Sequence, residues 1–82
     1  MYNKILEKIN SGEYKKINKR FSPDIGVSEN NKTYSCLVTV DDVFLGDEKL
    51  YTIEQHIDKN SNYHTVSIFT HKTQEYYPEI KL

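Results

Sequence analysis

Between Leu50 and Asp58, and again between Tyr63 and His71, β-branched and aromatic residues alternate with polar ones. The intervening Lys59-Asn60-Ser61-Asn62 has hairpin-turn chemistry, so the two runs read as paired antiparallel strands with a countable register. Placing Asp58 opposite Tyr63 pairs Ile57 with His64, Gln55 with Val66, Ile53 with Ile68 and Tyr51 with Thr70. The aliphatic residues of both strands then share one face.

The same counting extends outward. A strand from about Tyr34 to Leu45, closed on Leu50 by Gly46-Asp47-Glu48-Lys49, adds Tyr34, Cys36, Val38, Val40 and Phe44 to that face. Asp42 interrupts the row, and an acid there is costly to bury, so a β-bulge at Asp41-Asp42 is expected to turn the carboxylates outward. A turn at Lys72-Thr73-Gln74 leads to a last strand contributing Tyr76, Ile80 and Leu82. Pro78 marks this strand as an edge, where a missing N–H is tolerated.

The N-terminal third has a different period. Tyr2, Ile5, Leu6 and Ile9 fall at helical spacing, and Asn10-Ser11-Gly12 supplies stop signals. Ser11 can cap a second short helix with Tyr14, Ile17 and Phe21 along one stripe, ended by Ser22-Pro23. Residues 24–32 lack periodicity and read as loop. The expected architecture is a single α+β domain over 1–82: residues 1–22 helical, 23–32 loop, and 33–82 a four-stranded antiparallel meander with one or two short helices on one face.

Composition narrows the function classes. A formal net charge of −1 with interspersed signs gives no whole-molecule attraction to nucleic acid. One cysteine, Cys36, cannot form an internal disulfide, no apolar run approaches the roughly 20 residues of a membrane span, and a reducing, cytoplasmic setting is expected. The Lys- and Asn-rich, Ala-poor composition suits an AT-rich bacterial, phage or plasmid genome.

Specific chemistry is sparse. His56 and His71 lie on the outer face about 20 Å apart along the strand rise, while His64 lies on the core face, so the three imidazoles predict no metal site. The sequence contains no P-loop, glycine-rich phosphate cradle or nucleophile motif. Cys36 reads as a small core hydrophobe, and neither catalysis nor a cofactor is expected. Lys15, Lys16, Lys19 and Arg20 form a basic helix face that, with Tyr63 and Phe69, offers one alternative function: single-stranded nucleic-acid binding.

The outer sheet face carries a stronger signal. Its expected rows read Val43, Thr52, Phe69, Tyr77 and then Leu45, Leu50, His71, Glu75, an apolar end beside polar rows. Helices cover only one face, so this end predicts a protein-interaction module with Val43, Leu45, Leu50, Phe69, His71 and Tyr77 as contacts. Its partner would be another protein or a second copy, and a phage- or plasmid-borne inhibitor or regulator fits the composition. If the segment from Ser22 to Lys32 folds over the patch, it is internal core instead.

The run Ile9-Asn10-Ser11-Gly12-Glu13-Tyr14, followed by Phe21-Ser22-Pro23-Asp24-Ile25, resembles the opening helices of cone-shaped NTF2-like domains. Over about a quarter of the chain, the resemblance implies a second helix before a curved sheet enclosing a small-ligand pocket or an enzyme site. It carries over no functional residues.

Overall fold

The computed structural model describes residues 1–27, 33–58 and 64–81. One helix, α1 (Tyr2–Asn10), precedes five strands: β1 (Lys15–Val27), β2 (Thr33–Leu45), β3 (Glu48–Asp58), β4 (His64–Thr70) and β5 (Glu75–Lys81). They form one antiparallel sheet in sequence order, β1-β2-β3-β4-β5. Among the described residues no helix is long and apolar enough to cross a membrane.

α1 is a helix of nine residues, too short to persist alone in water, and its stability comes from docking an apolar stripe. Ile5 is buried with Val43, Ile53, Val66 and Ile68, and Tyr2, Ile9, Tyr14 and Tyr51 pack around them. Met1 offers no side-chain cap to α1; instead the Tyr2 N–H donates to Glu79 Oε1 on β5 at 3.3 Å. A carboxylate there suits the positive end of the helix dipole. The helix stops where expected: Gly12 adopts φ +87°, and the Tyr14 N–H returns to the Lys8 carbonyl.

The second expected helix is replaced by β1, so the sheet has five strands rather than four, and residues 23–27 belong to a strand rather than a loop. Two physical causes oppose the helical reading. The helix face of the sheet is already occupied by α1, and without β1 the thirteen-residue β2 would present an unpaired row of backbone groups. Ile17 and Phe21 are 45% and 67% exposed, so their helical spacing does not reflect a buried stripe. The NTF2-like expectation of two opening helices fails for the same reason.

The β3–β4 register is the expected one, including Ile53 opposite Ile68 and Ile57 opposite His64; Tyr63 lies outside the described residues. The flanking strands are each displaced by one residue. The β2–β3 turn is two residues long, Gly46-Asp47, with Leu45 opposite Glu48; Leu50 is then skipped, so that Val43 faces Tyr51. Relative to the expected Leu45–Leu50 pairing, the short turn moves the register by two and the bulge returns one. The net odd shift exchanges the faces of β2. Val43 and Asp41 therefore lie on the helix face, and Cys36, Val38, Val40 and Asp42 on the other. No bulge occurs at Asp41-Asp42; the irregularities lie at Leu50 and, on β1, at Lys19.

The β4–β5 turn spans four residues, His71–Gln74, rather than three, with Gln74 at φ 58° and its N–H bonded to the Thr70 carbonyl at 2.7 Å. Phe69 consequently faces Tyr76, and Tyr77 faces Ile68. Tyr77 joins the helix face and Tyr76 leaves it. Leu82 and the side chain of Ile80 lie outside the described residues. β5 is an edge strand that carries Pro78, as expected.

Candidate interaction face

On the face opposite α1, pairing across the five strands assembles the row Ile17, Asp42, Thr52, Phe69, Tyr76. Alternation places these residues side by side, so the chemistry of the row follows from register alone. At its β2 end, Asp42 is only 4% exposed. Thr52 Oγ1 donates to Asp42 Oδ1 at 2.8 Å, and Lys19 Nζ and Lys49 Nζ each lie 3.3 Å from Oδ2. Burial by itself pushes the Asp42 carboxyl up, but hydrogen bonds from Thr52, Lys49 and Lys19 outweigh it and hold the group below the ordinary range. Lys19 reaches Asp42 from the β1 bulge, and Lys49 crosses from the hairpin with its Nζ 5.9 Å from the centre of the Phe44 ring.

His71 extends this network. Its Nε2 lies 2.7 Å from Thr52 Oγ1. Thr52 has one proton and gives it to Asp42, so His71 must donate through Nε2–H. In this order the imidazole is a donor to the hydroxyl and does not serve as its base. The ring stands edge-on to Phe69, with centroids 4.9 Å apart at 88°, and Phe69 in turn meets Tyr76 at 4.7 Å and 46°. Val40, Thr52, Glu54, Ser67, Phe69 and Tyr76 line a shallow groove of about 240 Å³. Tyr76 is 70% exposed. Glu54 Oε1 lies 3.6 Å from His56 Nε2.

Of the six residues expected to form the contact patch, Phe69 and His71 meet on this face. Val43 is fully buried beneath α1, so the expected outer position is corrected to core. Tyr77 is on the helix face, where it and Leu50 line a separate depression with Met1, Tyr51, Thr70, Lys72 and Thr73. Leu45 is 44% exposed at the hairpin tip. Sequence reasoning assigned Tyr76 to the core and gave Asp42, Lys19 and Lys49 no joint role. The one available signal was the acid at position 42 within an otherwise apolar alternation.

The basic set also changes character. Lys15, Lys16, Lys19 and Arg20 are exposed on a strand instead of sharing one helix face, and Lys19 is engaged with Asp42. Tyr63 lies outside the described residues. His64 is on the helix face, 2.8 Å from Gln55 Oε1, which also accepts from Tyr2 Oη at 3.4 Å. Among the described residues no three His, Cys, Asp or Glu side chains come together to hold a metal ion. Cys36 is a buried free thiol. Comparisons with protein-family models, curated proteins and solved structures find no match to this chain.

Proposed function

We propose that this protein is a small non-catalytic interaction module that binds a protein partner, or a second copy of itself, through the groove end of the sheet face opposite α1. The contact set is Val40, Phe69, His71 and Tyr76, with Leu45 at the hairpin tip as a peripheral contact. One observation supports it above others: Tyr76, a large aromatic residue, is 70% exposed beside the Phe69 ring on a face that α1 leaves uncovered. Aromatic residues of this kind carry a disproportionate share of interface energy. The Asp42–Thr52–His71 network beside them, anchored on the buried Asp42, favours one shape of this surface, which lowers the ordering cost of association. A reducing cytoplasmic setting fits the free thiol of Cys36.

The test compares wild type with Phe69→Ala and Tyr76→Ala, as bait for partners and in sedimentation for self-association. The expected outcome is a stoichiometric complex weakened by on the order of 2 kcal/mol with each variant, the amide spectrum being unchanged. Complexes that form equally well with both variants would refute this reading.

A further inference from the structure

Beyond the groove, we infer that the free edge of β1 takes up an acidic, extended segment of a partner protein as an added strand. β1 lies at one end of the sheet and, among the described strands, pairs only with β2, so the outward backbone groups of this edge are open to a further strand. Residues 15–23 hold Lys15, Lys16, Lys19 and Arg20 and no acid, in a chain whose net charge is −1. Positive charge is thus concentrated on this edge while the remainder of the chain is acidic. Every residue from Lys15 to Phe21 is exposed, the apolar Ile17 and Phe21 included. Lys19 and Arg20 are engaged, by Asp42 and Ser22, but Lys15 and Lys16 have no hydrogen-bond or ion-pair partner among the described residues. The acids beside them in register or sequence are committed elsewhere: Asp41 is buried and accepts from Asn18 Nδ2 at 2.9 Å, Asp42 is buried among Thr52, Lys19 and Lys49, and Glu13 holds Lys8 at 2.9 Å.

The register indicates what such a segment must carry. Alternation places Lys15 and Ile17 on the groove side of the sheet and Lys16 on the α1 side. An added strand presents its own side chains to both sides in the same alternation, so two adjacent acids reach Lys15 and Lys16 while a neighbouring apolar residue covers Ile17. A run of phosphates offers only acceptors and leaves the outward carbonyls of the edge unpaired. A second β1 edge is repelled charge for charge, and the lysines that deter such pairing draw in an acidic strand. The bulge at Lys19 interrupts the edge, so regular pairing is confined to the residues before it, 15–18.

The probe is a blocked seven-residue peptide with valine at its centre, two glutamates on either side and threonine at each end. It is set against the same peptide with glutamine or lysine for glutamate, the glutamate peptide methylated on its four glutamate nitrogens, and a thymidine heptanucleotide. Binding is read from the amide NMR signals of β1. The glutamate peptide is expected to give saturable shifts over residues 15–18 and to slow hydrogen exchange there, with affinity reduced about fivefold when Lys15→Gln and Lys16→Gln are combined. Both side chains are exposed, so the double variant spares the fold. No saturable shift, equal binding of the glutamine, lysine or methylated peptide, or tighter binding of the heptanucleotide would overturn the inference. Self-association in sedimentation that disappears with the double variant would overturn it too, because the edge would then be occupied by a second copy.

Discussion

Asp42 shows how one buried charge can be tolerated in so small a domain. Its carboxylate loses water but gains a hydroxyl and two ammonium groups, and the lysines keep much of their own hydration, being 55% and 38% exposed. Attraction in such a half-wet pair is therefore modest, and the greater penalty arises if the acid is left unpartnered. Asp42→Ala should cost about 2 kcal/mol, measured by urea unfolding. The pH dependence follows from the lowered carboxyl. The folded state favours the ionised form, so its contribution is present above the ordinary value of 3.8 and disappears as pH falls through the lower folded value. Wild type should thus lose stability below about pH 4 more steeply than Asp42→Asn, and acid-titrated melting curves that run parallel would contradict this.

At the level of elements, the β2–β3 hairpin holds the main lesson. Gly46 adopts φ +61° in a two-residue turn, where primed turn types require a positive angle, and a Cβ built there meets nothing within 4 Å. Gly46→Ala should therefore cost about 1 kcal/mol through backbone strain alone, with no steric contribution, a difference that chemical denaturation resolves. The β3–β4 pairing was legible in the sequence because Ile53 and Val66 each have polar neighbours on both sides and Ile68 falls two residues after Val66, so one register places all three on the same face. β2 was not. Cys36, Val38 and Val40 occupy one set of alternate positions and Leu37, Val43 and Leu45 the other, and hydrophobicity cannot choose between them. The choice is made by the skipped Leu50, which leaves no compositional mark. β1 was misread because Tyr14, Ile17 and Phe21 have helical spacing by coincidence, whereas its clustered lysines, bulge and Pro23 are common protections of an exposed edge. Phe69 and His71 were found because they follow from β4, while Tyr76 depended on a four-residue turn with an unusual positive φ at Gln74.

For the molecule as a whole, the two sides of the sheet have different duties. Ile5→Ala on the buried side of α1 should cost about 3 kcal/mol, because the other core residues on that side are few and cannot close the cavity. Tyr76→Ala should change stability by less than about 0.5 kcal/mol, since its ring is mostly in water. Thermal melts of the two variants would distinguish them, and equal losses would mean that the Tyr76 side is structural. The skipped Leu50 also sets a rule of parity on the whole domain. An inserted residue that shifts β2 by one would bring Asp42 under the helix and expel Val43 to the surface, while a shift of two returns each side chain to its own side. Length changes in this hairpin should therefore be accepted in even steps and rejected in odd ones. A series of one-, two- and three-glycine insertions after Asp47 should alternate between folded and unfolded products; a smooth decline in stability with length would refute the rule.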